Sequence, residues 1–148
     1  MCFEILEEPE LVADDTGGRE MILIVDDDEA MSEVLSRRLK QQGFATATAD
    51  SGAAGLAFAR SHQPALVVLD LRLPDASGFT VCQHLADSPE TCHIPVIILS
   101  GMERPDIIRR SREAGCDYFV RKPYDPNALL VLIRQALQER NAWAGPEV

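Results

Sequence analysis

Three stretches of this chain are almost wholly apolar, residues 22–25 (ILIV), residues 66–69 (LVVL) and residues 94–99 (IPVIIL), and each stops at a polar group: Asp26, Asp70 and Ser100. A strand without polar alternation is buried on both faces, which places all three inside a parallel sheet. Between them the pattern changes to helical spacing. Met31, Val34, Leu35 and Leu39 predict a first helix whose apolar face packs on the sheet, with Arg37, Arg38 and Lys40 opposite and Gly43 as its stop. Residues 44–49 form a Thr- and Ala-rich edge strand, and Asp50 or Ser51 caps a second helix running to about Ser61.

After Asp70, a loop with Pro74, Asp75, Ser77 and Gly78 delivers a third helix from near Phe79, with Phe79, Cys82 and Leu85 inward and its end before Pro89. A fourth helix from Pro105 carries Ile107, Ile108, Ser111 and Ala114 inward and Arg104, Arg109, Arg110 and Arg112 outward. Residues 117–121 make the last strand, leading to Lys122 and Pro123. Asp125 then caps a final helix running to about Asn141, whose inner stripe of Leu129, Leu132, Ile133, Ala136 and Leu137 leaves Leu130 and Val131 over. Those two, with Asp117 and the arginines of the fourth helix, form either an association face or a wide core stripe beside a solvated charged face.

Five strands alternating with five helices over short connections define an α/β fold, a flavodoxin-like (βα)5 three-layer sandwich with a parallel five-stranded sheet of order 2-1-3-4-5. Asp26, Asp70 and Ser100 then end neighbouring strands at the carboxyl edge, where open α/β sheets bind ligands.

The length of 148 residues suits one domain, over residues 21–141, flanked by an acidic arm of residues 1–20 and a tail of residues 142–148. The arm holds Glu4, Glu7, Glu8, Glu10, Asp14 and Asp15 against Arg19. Its Phe3, Ile5, Leu6, Leu11 and Val12 allow an amphipathic docking segment, the other reading being a segment without structure of its own. A net charge of -10 argues against direct nucleic-acid binding. Cys2, Cys82, Cys92 and Cys116 form no C-x-x-C pair, the start resembles no signal peptide, and no apolar run reaches the ~20 residues of a membrane span. A cytoplasmic protein with reduced thiols is expected.

Converging carboxylates at Asp26, Asp27 and Asp70 repel by roughly 4 kcal/mol per pair at ~4 Å and an effective dielectric of about 20. An oxygen-preferring divalent cation such as Mg²⁺ offsets this, Lys122 adds a fixed positive charge, and Ser100 offers a hydroxyl. Such a set fits phosphoryl transfer, with Asp70, at the end of the most central strand, as the carboxylate nucleophile. The bland alternative is that strand-end acids only cap helices, Asp28 the first, and Asp75 or Ser77 the third. A dehalogenase-like phosphatase would want a second Asp where Arg72 stands. Flavin and P-loop phosphate cradles are absent.

The segments VDDDEAM, VVLDLRLPDASGF, VIILSG and AGCDYFVRKP, in order and spacing from about Met21 to Arg140, resemble the receiver domain of bacterial two-component response regulators. The resemblance implies that Asp70 is the phosphoacceptor and that Asp26, Asp27, Asp70 and the backbone carbonyl of Arg72 hold Mg²⁺ or Mn²⁺. It implies Ser100 and Lys122 as contacts of the phosphoryl oxygens, Phe119 as the switch aromatic in place of the usual Tyr, and Arg72 and Met102 as residues tuning phosphoryl lifetime. The implied partners are a histidine kinase or histidine phosphotransfer protein, and a downstream target or tethered output domain. The resemblance places the switching surface on the fourth helix, fifth strand and fifth helix, and the association-face reading of Leu130, Val131, Asp117 and the fourth-helix arginines would make a homodimer through that surface. The chain would then be a signalling module catalysing only its own aspartyl phosphorylation and dephosphorylation. The competing reading is a binding module of the same fold that is never phosphorylated.

Overall fold

A computed structural model describes residues 18–144, with side chains to residue 140. The strands are β1 Met21–Val25, β2 Ala45–Ala49, β3 Leu66–Asp70, β4 Val96–Ser100 and β5 Tyr118–Arg121. Alternating with them are α1 Glu29–Gln41, α2 Gly52–His62, α3 Gly78–Asp87, α4 Ile107–Glu113 and α5 Pro126–Ala144. All pairings are parallel, in the order β2-β1-β3-β4-β5. The register aligns Ile24 with Val68 and Val68 with Ile97, so the three most apolar strands form the centre.

Side chains alternate between two cores, as a pleated strand requires. Ile22, Ile24, Leu66, Val68 and Ile97 pack with Leu35 and Leu39 of α1 and Leu129, Ile133 and Leu137 of α5. Leu23, Val25, Val67, Leu69 and Ile98 pack with Ala59 of α2, Val81, Cys82 and Leu85 of α3 and Ile107 of α4. Gly55 of α2 lies so close to β1 that a Cβ there would stand 2.9 Å from Val25 Cγ2.

Helix starts are fixed largely as the sequence predicts. Asp28 accepts from Met31 N at 3.3 Å, Ser51 from Ala54 N at 3.1 Å and Ser77 from Phe79 N at 3.1 Å. Asp125 accepts from Asn127 N at 3.0 Å. Asp75 caps a different helix: its carboxylate crosses to the start of α2, accepting from Gly52 N at 2.8 Å and Ala53 N at 3.0 Å.

Several expectations need correction. The buried face of α1 is Ser32, Leu35, Ser36 and Leu39, while Met31 and Val34 are 39% and 54% exposed. The helix approaches β2 closely enough for Ser36 Oγ to meet Thr46 Oγ1 at 2.6 Å, and small polar residues fill that contact. In α4, Pro105 and Asp106 form a preceding turn. The Asp106 carboxylate is drawn to Arg104 at 3.0 Å instead of capping the helix, and Ile108 is 47% exposed. Leu130 is buried in the α5 core, so of the two residues left over from the inner stripe only Val131, 64% exposed, faces outward. α5 continues past Asn141 to Ala144, so the tail expected from residue 142 begins inside the helix. Residues 1–17 of the acidic arm and 145–148 of the tail lie outside the described residues. Among the described residues, no helix is long and apolar enough to cross a membrane.

Candidate functional site

β1 and β3 end side by side, and this alone brings their terminal carboxylates together. Asp26, directly after β1, and Asp70, the last residue of β3, are both largely buried, whereas Asp27 is exposed on the turn toward α1. One oxygen from each of the three lies within 4.8 Å of the others. The turn is held by Asp28 N, which donates to Asp26 Oδ1 at 3.0 Å, and by Ser32 Oγ, which donates to the Asp26 carbonyl at 3.4 Å.

Lys122 enters from the far side of the sheet. Its backbone N–H donates to the Ser100 carbonyl at 2.8 Å, fixing the residue beside the end of β4. The ammonium stands 3.6 Å from Asp26 Oδ2 and 3.6 Å from Asp70 Oδ2. Its peptide bond to Pro123 is cis.

Burial is the largest influence on Asp70 and raises its carboxyl above the ordinary 3.8; Lys122 pulls the other way, and Asp26 adds to the rise. The nearby backbone N–H of Arg72 also favours the ionised form of Asp70. The Ser100 hydroxyl, buried at 1% exposure, accepts from Met102 N at 3.0 Å. Phe119 is half-buried against the α2–α4 side of the core, with the Arg121 guanidinium 6.0 Å from its ring centre.

The donor set suits a hard divalent cation: three carboxylates at mutual ligand distance, with one ammonium that cannot neutralise all three. Arg72 and Met102, singled out from the sequence, share a groove beside the cluster. The sequence reading did not find Tyr124. It lies two residues past Lys122 and lines the small space behind Asp26 and Asp70 with Met31 and Ser32. Burial first, then Asp26, raise its hydroxyl above the ordinary 10.0. Its signal was an aromatic placed just after Lys122-Pro123.

A parallel sheet of order 2-1-3-4-5 whose central strands end in two buried carboxylates beside one lysine is an architecture of the flavodoxin-like α/β proteins. A family profile described as the response regulator receiver domain matches residues 22–134, and the chain belongs to that family. It is a module of two-component signalling rather than an enzyme of the usual kind.

The chain is 38% identical over 117 residues to the DNA-binding dual master transcriptional regulator RpaA of Synechocystis, covering 79% of this chain and 48% of RpaA. Over its length it thus spans about half of that relative. A receiver domain protein from Methanospirillum hungatei superposes with a TM-score of 0.80 at 27% identity, covering 84% of this chain and 98% of that one. A receiver domain described as BeF3-activated DrrB superposes with a TM-score of 0.72 at 32% identity, covering 81% of this chain and 98% of the other.

Proposed function

We propose that Asp70 accepts a phosphoryl group from the phosphohistidine of a histidine kinase or histidine phosphotransfer protein, and that the aspartyl phosphate later hydrolyses. The observation that carries this reading is the Lys122 ammonium 3.6 Å from both Asp26 and Asp70, inside a carboxylate trio of ligand spacing. A structural cap needs one carboxylate and a helix N–H. Two buried acids sharing one ammonium are instead arranged for a charge that arrives later.

In the transfer, an Asp70 carboxylate oxygen attacks phosphorus, the P–N bond breaks, and its electron pair stays on the imidazole nitrogen. In hydrolysis, water attacks phosphorus, the P–O bond to Asp70 breaks, and the carboxylate and inorganic phosphate are released. Mg²⁺ or Mn²⁺, held by Asp26, Asp27, Asp70 and the Arg72 carbonyl, would neutralise charge on the phosphoryl oxygens. Lys122 contacts one phosphoryl oxygen. The Ser100 hydroxyl leaves Met102 N and donates to another. Phe119 follows that movement by ring packing alone, since it lacks a hydroxyl.

The α4–β5–α5 face then carries the signal to a downstream protein, a tethered output domain or a second copy, with Ile108 and Val131 as its exposed apolar residues. These residues make no direct nucleic-acid contact in this reading, and the protein works in the cytoplasm. The BeF3-activated relative supports a phosphoacceptor role.

The test is intact-protein mass after incubation with acetyl phosphate and Mg²⁺, beside Asp70→Asn. A phosphoryl-sized gain requiring both Mg²⁺ and Asp70 is expected. No gain under any condition overturns the reading in favour of a binding module that is never phosphorylated.

A further inference from the structure

Beside the carboxylate cluster lies a groove of about 550 Å³ between the loops that follow β3 and β4. Its walls include Leu71, Arg72, Phe79, Met102, Arg104 and Arg110. The Arg110 guanidinium lies 4.5 Å over the Phe79 ring, and Arg104 is paired with Asp106 at 3.0 Å. Neither Arg72 nor Arg110 has a carboxylate at ion-pair distance among the described residues. The groove therefore offers apolar floor and unneutralised guanidinium charge, on a chain whose net charge is -10.

The same chain contains a segment of the opposite pattern. Residues 3–10, FEILEEPE, place Glu4, Glu7, Glu8 and Glu10 among Phe3, Ile5 and Leu6. Its reach is sufficient: the run from Glu8 to Gly18 spans up to about 33 Å when extended, while a five-residue strand such as β1 rises about 17 Å from one sheet edge to the other. Acidic side chains opposite arginine forks and large apolar groups on a Phe and Met floor are a matched pair of surfaces.

We propose that residues 3–10 dock in this arginine-lined groove of their own chain, beside the entrance to Asp70. The contact is electrostatic at its rim and apolar at its floor, and it does not depend on phosphorylation of Asp70.

The experiment uses the full chain with Cys92→Ser and Cys116→Ser and a nitroxide on Cys2. Cys82 is fully buried and its thiol is pushed up to about 12, so it stays unlabelled. Paramagnetic loss of amide signal is read across the isotope-labelled protein. The expected result is loss concentrated at Phe79, Met102 and Arg110, relieved by high salt, by Arg110→Glu, and by Glu7→Arg with Glu8→Arg, which alters the arm alone. Loss spread evenly, centred on α1 or α5, or unchanged by the arm substitutions overturns the proposal. So does loss that appears in isotope-labelled, unspun chains mixed with spin-labelled ones, which would assign the groove to a second copy's arm.

Discussion

Replacing Lys122 with Met keeps a long side chain and removes the ammonium that stands 3.6 Å from both Asp26 and Asp70. The side chains of Lys122, Asp26 and Asp70 are 25%, 8% and 11% exposed, so solvent screens this trio only modestly. At 3.6 Å, each carboxylate is attracted to the ammonium by about 4–5 kcal/mol at an effective dielectric of about 20. Desolvation of the lysine offsets much of that sum, and removing one partner of a buried ion pair costs about 3–5 kcal/mol. With a quarter of the lysine still in water, the lower end applies, and Lys122→Met should lose about 3 kcal/mol at neutral pH without divalent cation.

Urea unfolding followed by circular dichroism measures this as a midpoint lowered by roughly 1–3 M. The loss has a defined pH sign. Asp70 is already raised above 3.8 by burial and Asp26, and Lys122 is the main influence holding it down, so the variant's Asp70 rises further. A raised folded value means stability that is complete below the unfolded value and is lost as pH climbs through the folded one. The deficit should therefore shrink as pH falls, and Mg²⁺ should also reduce it. A deficit below about 1 kcal/mol at neutral pH, the size of an exposed pair, would refute the reasoning. An equal deficit at about pH 4.5 would do the same.

Three further outcomes are expected. Gly78→Ala puts a Cβ 2.6 Å from Leu71 Cα and 2.7 Å from the Asp70 carbonyl, both backbone atoms that cannot swing aside, so thermal unfolding should show a loss of about 1–3 kcal/mol with reduced phosphoryl uptake. Asp75→Asn removes a carboxylate whose value is lowered by Gly52 and Ala53 N–H, so the stability it adds is present above about 3.8 and disappears as pH falls through its lowered folded value. Acid unfolding of the variant and parent should converge at the lowest pH, and a constant gap would contradict this. Arg72→Ala should alter aspartyl phosphate lifetime while stability stays within about 0.5 kcal/mol, and equal decay rates in the two proteins would dismiss the tuning role.

The sheet and its acidic edge were legible because uninterrupted apolar runs have few other solutions, and because each run ended at a polar residue on the carboxyl edge. Asp26, Asp70 and Ser100 needed only strand order to be placed together. What escaped was decided by tertiary approach. Ser32 and Ser36 face inward on α1 because the helix lies close to β2, and apolar periodicity counts neither. Asp75 looked like a cap for its own helix, yet its loop aims it at α2. Asp106 stood where an N-cap should be and was taken by Arg104. Tyr124 carries no pattern of its own, and becomes part of the site only because Lys122 folds back beside β4.

The hydroxyl of Ser100 is not idle before any signal arrives, since it already accepts the amide hydrogen of Met102. The carbonyl of that same Met102 accepts from the Arg121 guanidinium at 3.2 Å, at the last residue of β5. A hydrogen bond of this kind is worth about 0.5–1.5 kcal/mol, or roughly a two- to twelvefold preference for the resting arrangement. In the phosphoacceptor reading proposed above, a Ser100 drawn toward Asp70 leaves Met102 N–H without its acceptor, and Met102 is the residue that ties this loop to the end of β5.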